Sequence, residues 1–255
     1  MAEADPNIAD AHTRMPSLKG RKAVITGGTT GIGRAIGVLL ASEGVEIFTC
    51  GRDEQHLKDG LERINQVGKG DGIALDLAER GAVDRFFTEA EEALGSYDIA
   101  IINAAIPADG VTEESEADAR YAIATDFTAY VMSAWKAADQ MKDHGDIVLT
   151  GSTSAHALGP HSTIYSGIKL GIAGFGEALA KELGPKGIKV GFVEPGATGA
   201  DFQLPAIPVE KQREMIEAGK MLRAEDIAVA VHFMLTQPKR AVVQQLTMVP
   251  RIRDA

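Results

Sequence analysis

The sequence predicts an α/β protein whose parallel sheet is covered by helices on both faces. Two observations carry that expectation. Short β-like runs alternate with helical patterns along the chain, with no internal repeat or low-complexity stretch. The first run also ends in a glycine-rich turn, T-G-G-T-T-G-I-G over residues 26–33, that opens directly into a helical pattern.

Each element can be justified in order. Residues 22–25 (KAVI) read as a short buried strand, and residues 34–43 carry apolar side chains at helical spacing. Residues 46–50 (EIFTC) form a second strand. Asp53 then caps a helix to about Val67, which the glycine cluster at 68–72 closes. Residues 72–75 make a third strand with Asp76 at its carboxyl end. A helix over 81–94 leads to a fourth strand, 99–102, ending at Asn103-Ala104-Ala105. Residues 117–141 predict one long helix that turns Tyr121, Ala124, Phe127, Val131, Met132 and Trp135 to the core. Strands at 147–150 and 189–193 are separated by a helix over 162–183, and Pro195-Gly196 stops the second of them. A proline-interrupted segment (197–208) and an amphipathic stretch (209–221) precede a helix at 224–235 and a last strand at 246–249.

Composition narrows the function. The 255 residues are 45% hydrophobic, which suits one domain over residues 18–255 behind a polar tail, 1–17. A net charge of −10 without any basic run argues against nucleic acid and anionic membranes as partners. The single cysteine, Cys50, lies in an expected strand, so a core role is expected and a disulfide framework is excluded. The sequence shows no signal-peptide pattern and no bilayer-length apolar run, so a soluble, cytoplasmic protein is expected.

In open parallel sheets ligands bind beyond the carboxyl ends of the strands. The turn at the first of these ends offers Gly27, Thr29, Thr30, Gly31, Ile32 and Gly33 to a diphosphate, beside a helix N-terminus with free N–H groups. The second strand ends in Cys50-Gly51-Arg52, with no acid to take a ribose 2′-hydroxyl. A guanidinium there suits a 2′-phosphate, so NADP(H) is favoured and NAD(H) remains open; the alternative for Arg52 is an exposed pair with Asp53 or Glu54. Tyr165 and Lys169 stand four residues apart on one helix face, and Ser152 follows the fifth strand. A phenol titrates near ~10, and an adjacent ammonium is expected to lower that value. Tyr165 is then the candidate general acid and base for carbonyl–alcohol redox chemistry, with Ser152 bonding the substrate oxygen. His156 and His161 flank Gly159-Pro160 near the expected substrate entrance, without the acidic neighbours of a metal site. Four glycines in one helix, Gly167, Gly171, Gly174 and Gly176, predict a backbone packed closely on something.

With these residues in place the chain resembles the short-chain dehydrogenase/reductase family in its one-domain Rossmann form. T-G-x-x-x-G-x-G matches residues 26–33, and the catalytic Ser, Tyr and Lys fall on Ser152, Tyr165 and Lys169. The family's strand-end aspartate falls on Asp76, and its N-N-A-G segment is matched in part by Asn103 and Ala104. The resemblance implies a doubly wound sheet of about seven strands, with Asp76 and the adjoining Leu77 near the adenine. It places Pro195 and Gly196 at the nicotinamide, where Thr198 is the stand-in for the family's threonine, gives Lys169 a second role on the nicotinamide ribose, and implies a homotetramer or dimer. Three departures stand out. The family's catalytic Asn is Asp126, a Thr beyond the Pro-Gly turn is Ala200, and the chain ends in L-T-M-V-P-R in place of a glycine-rich tail. That ending is similar to short-chain hydroxy-acid dehydrogenases. The leading expectation is an NADP(H)-dependent carbonyl reductase with a short lid near 197–221. The alternative is a nucleotide-binding regulator with little turnover; an epimerase or dehydratase would need a longer chain.

Overall fold

The computed structural model describes residues 15–252; residues 1–14 of the expected tail and the last three lie outside the described residues. The first half runs β1 (Lys22–Thr26), α1 (Gly31–Ser42), β2 (Glu46–Gly51), α2 (Glu54–Asn65), β3 (Lys69–Ala74), α3 (Ala82–Leu94) and β4 (Ile99–Ile102). The second runs α4 (Glu116–Ile123), α5 (Ala129–Met141), β5 (Gly145–Thr150), α6 (Thr163–Leu183), β6 (Ile188–Pro195), β7 (Thr198–Gly199), α7 (Val209–Glu217), β8 (Leu222–Arg223), α8 (Ala224–Leu235) and β9 (Gln245–Met248).

Seven strands form one parallel sheet in the order β3-β2-β1-β4-β5-β6-β9, and β7 pairs with β8 apart from it. Strand order reverses between β1 and β4, which opens a crevice at their carboxyl ends. Each face of the sheet buries its own apolar cluster. One gathers Phe86, Tyr130, Ile172 and Phe192, the other Ile36, Leu40, Ile64 and Val231. All six residues of β5 are buried, as a central parallel strand requires.

The structure corrects three local expectations. The glycine cluster at 68–72 closes α2 only through Gly68: β3 begins at Lys69, earlier than the expected residue 72, so Gly70 joins Gly72 within the strand. A Cβ at Gly70 would stand 2.5 Å from Ile64 Cγ2, and one at Gly72 2.4 Å from Thr49 O, so close packing under α2 and β2 sets them. The long helix is continuous but widens to π-helical spacing over Ala124–Thr128 between α4 and α5. Its apolar pattern also points differently from expectation. Ala122, Ala129, Ala134, Ala137 and Met141 face the core, while Trp135 is 55% and Met132 40% exposed. The expected close packing of the α6 glycines holds for Gly171 against Phe127 and Gly176 against Leu149, whereas Gly167 and Gly174 face open space.

One close approach fixes the first crossover. A Cβ at Gly33 would lie 2.2 Å from Gly27 O and 2.6 Å from Asn103 Nδ2. Gly33→Ala is expected to lose about 1–3 kcal/mol of stability through overpacking, read as a lowered urea midpoint at unchanged m.

Candidate active site

A cavity of about 600 Å³ occupies the crevice at the carboxyl ends of the strands. Its floor is the turn from β1 to α1. Gly27 (φ +68°) and Gly31 (φ +53°) take left-handed conformations, and a Cβ at Gly27 would lie 2.7 Å from Ala104 Cα. Asn103 ties this turn to the end of β4, its amide donating to Gly27 O at 3.1 Å and its backbone N–H to Thr26 Oγ1 at 2.9 Å. Thr30 caps α1 without a side-chain hydrogen bond and no acid sits in the first turn, which leaves the positive helix end facing the cavity.

Gly27, Thr29, Thr30, Gly31, Ile32, Arg52, Asp76, Leu77, Asn103, Ala104, Ser152, Tyr165, Lys169, Pro195, Gly196 and Thr198 all line the cavity. Gly33 does not; it lies buried behind the turn, where it lets α1 meet β4. Asp126 does not either, being fully buried beneath the cavity wall.

At the inner end, Lys169 on α6 is 1% exposed. Its Nζ donates to Thr150 O at 3.3 Å and stands 5.3 Å and 5.5 Å from the ring centres of Tyr130 and Tyr165. Burial pulls the ammonium below its ordinary pKa, and the Asp126 charge opposes that pull. Asp126 accepts Ile106 N–H at 2.9 Å through Oδ1, while Oδ2 is buried without a partner. Burial raises its carboxyl from 3.8 to about 7, against the lowering effect of Lys169. Tyr165 departs from expectation. Burial first, then the Asp126 charge, raise its phenol well above the usual value, and only its contact with Ser152 lowers it. The Phe202 ring packs 5.7 Å from that of Tyr165, and the Thr198 hydroxyl turns back on Gly196 O at 2.9 Å.

At the outer end, Arg52 does not pair with Asp53 or Glu54. Asp53 caps α2 by accepting His56 N–H at 2.8 Å. Arg52 Nη1 instead donates to the Tyr121 hydroxyl at 2.6 Å, which donates to Asp76 Oδ2 at 2.6 Å. Sequence periodicity assigned Tyr121 to the core, and only its hydroxyl hinted otherwise. The two histidines stand off the cavity: His156 Nε2 meets Glu194 Oε1 at 2.7 Å and His161 Nδ1 meets Glu113 Oε1 at 2.9 Å. Among the described residues no group of His, Cys, Asp and Glu could hold a metal ion.

A family model for short chain dehydrogenase matches residues 21–208. The chain belongs to the short-chain dehydrogenase/reductase family. It is 30% identical to 3-oxoacyl-(acyl-carrier-protein) reductase FabG of Haemophilus influenzae over 85% of this chain and 91% of that one. Among solved structures, a dehydrogenase/reductase of Sinorhizobium meliloti 1021 aligns with TM-score 0.81 at 32% identity, covering 91% of this chain and 95% of the other. A short chain dehydrogenase of Burkholderia cenocepacia J2315 in complex with NADP aligns with TM-score 0.82 at 27% identity, covering 92% and 98%. This short-chain dehydrogenase/reductase is thus an oxidoreductase by family, and no described helix is long and apolar enough to cross a membrane.

The residues present fit the nicotinamide dinucleotide of that family. The Gly27–Gly31 turn leaves backbone open to a diphosphate. Thr125 and Thr150 line the cavity, their hydroxyls are buried without partners, and Lys169 keeps N–H donors beyond its one bond to Thr150.

The raised Asp126 carboxyl has a consequence for stability. In the unfolded chain it loses its proton near 3.8, in the folded protein near about 7, so the folded state binds the extra proton between these values. Stability therefore falls as pH rises through that window. Thermal melts from pH 4 to 7 should show a steeper fall for the wild type than for Asp126→Asn; parallel profiles would mark Asp126 as an ordinary carboxylate.

Proposed function

We propose that the protein is an NADP(H)-dependent oxidoreductase that interconverts a ketone or aldehyde with an alcohol, with Tyr165 as general acid and base. The observation that carries this reading is the convergence of Ser152, Tyr165 and Lys169 at one end of the cavity. Arg52 at the opposite end supports the phosphorylated cofactor. The NADP complex of the Burkholderia relative points the same way.

When bound, the cofactor supplies hydride to the carbonyl carbon or takes it back from the alcohol. In reduction Tyr165 passes its phenolic proton to the oxygen as charge develops there, and Ser152 holds that oxygen by a hydrogen bond. Tyr165 holds its proton at neutral pH, as an unperturbed phenol also does, while burial and the Asp126 charge work against its release. Lys169, fixed to Thr150 O, directs its remaining donors to the cofactor ribose and its charge to Tyr165. Asp126 acts beneath them as a charge partner of Lys169. Thr198–Gly199 and Leu222–Arg223 pair as β7 and β8 and bracket the segment between them, which serves as a short lid placing Phe202 over the substrate. One domain over 18–255 accounts for the whole reading, in a cytoplasmic protein with a small-molecule substrate.

Screening carbonyl compounds with NADPH should find turnover that Tyr165→Phe reduces about a hundredfold or more, with NADPH affinity retained. Unchanged turnover in that variant would remove Tyr165 from the role.

Exposed Ile123, Met132, Trp135 and Leu170 on α4, α5 and α6 support assembly into a homodimer or homotetramer. Sedimentation should give a multiple of 26.9 kDa, and Trp135→Glu should shift it toward the monomer. A monomeric wild type would overturn the assembly.

A further inference from the structure

We propose that Tyr121 is a positioning residue for cofactor choice, its hydroxyl holding the Arg52 guanidinium in place for the 2′-phosphate. The inference rests on the NADP(H) reading above and adds a residue to it.

The geometry admits one order of donation. Arginine is only a donor and a carboxylate only an acceptor, while a phenol has one proton to give. Tyr121 must therefore give its proton to Asp76 Oδ2 and present its oxygen to Arg52 Nη1, with both contacts at 2.6 Å. Asp76 is itself fixed, since Oδ1 accepts Ala78 N–H at 2.9 Å. The three side chains come from β2's end, β3's end and α4, so the guanidinium is referred to the sheet as well as to its own loop. The neighbouring acid does not compete, because Asp53 is engaged as the α2 cap.

A free arginine on a loop loses rotamer freedom when it grasps a phosphate. One already held at Nη1 has lost much of it and still offers its other N–H groups to the cavity. A ribose 2′-hydroxyl carries no charge for those groups to meet, so NADH gains little. The hydroxyl of Tyr121 consequently acts on discrimination between cofactors rather than on binding of both.

The test is fluorescence titration of NADPH and NADH into the wild type, Tyr121→Phe, Arg52→Ala and the double variant. Tyr121→Phe keeps the ring and removes the hydroxyl. The NADPH Kd should rise about tenfold, the loss of one charged hydrogen bond, with the NADH Kd unchanged. In the Arg52→Ala background the same substitution should add nothing. Should Tyr121→Phe fold poorly, Tyr121→Leu should show the same selective loss. An equal rise for both cofactors, or no rise, would overturn the role of Tyr121 while leaving the 2′-phosphate site standing if Arg52→Ala still weakens NADPH alone. If Arg52→Ala weakens neither cofactor selectively, the phosphate reading itself falls, and this inference with it.

Discussion

An ammonium withdrawn from water is the constraint on which the inner end of the site depends. A lone buried charge is costly enough that it sheds its proton or recruits partners. Lys169 recruits four. The Thr150 carbonyl at the end of β5 accepts its hydrogen bond, Asp126 supplies opposite charge, and the rings of Tyr130 and Tyr165 stand within 5.5 Å. Tyr130 also donates to Thr150 O and accepts from Thr150 N–H, so β5, the α4–α5 helix and α6 meet at a single residue. The wide turn over Ala124–Thr128 belongs to the same arrangement. π-Helical spacing inserts one residue into a turn and re-aims its side chains. Here it falls on Asp126, which bonds Ile106 N–H and so also fixes the loop leaving β4.

The outer half of the site depends on close backbone approach instead. Gly27, Gly33 and Asn103 interlock so tightly that a single methyl at either glycine would displace the strand-end loop. That interlock holds the helix N-terminus of α1 at the crevice mouth. The two halves are therefore fixed by different physics, polar satisfaction within and steric exclusion without, and both converge on the carboxyl ends of β1, β4 and β5.

Where one physical signal dominated, the sequence was readable. Alternation of short apolar runs with helical patterns located the seven strands of the sheet, since burial on both faces leaves little choice of residue. The Ser152, Tyr165 and Lys169 spacing and the glycine turn likewise located the cavity wall. Legibility failed where a residue serves two signals at once. Gly70 resembles a turn former but lies in a strand, because Ile64 leaves no room for a Cβ. Trp135 and Met132 satisfy helical periodicity yet face outward, since the inward face of α5 is Ala129, Tyr130, Ser133, Ala134, Ala137 and Met141. Tyr121 was hidden by its ring: apolar patterning counts the carbons and overlooks the hydroxyl. The Tyr165 pKa was misjudged because spacing showed Lys169 but not the depth of burial or the nearness of Asp126.

The unusual ending of the chain has a structural reason in Glu194. This carboxylate is wholly buried one residue before the Pro195-Gly196 turn, and both oxygens are engaged. Oε1 meets His156, from the loop after Ser152, while Oε2 accepts the Gln245 amide at 2.5 Å and the Thr247 hydroxyl at 2.8 Å. A glycine-rich tail could offer neither side-chain donor. Gly196 N–H then bonds Met248 O at 2.8 Å, and a Cβ there would stand 3.1 Å from Pro250 Cδ. The last strand thus grips the turn by its backbone and, through Glu194, reaches the loop that carries Ser152. Removing a donor from such a group would leave a buried charge underpaired, which is far costlier than losing an exposed pair. The polar residues of β9 are therefore part of what holds the inner end of the cavity in shape.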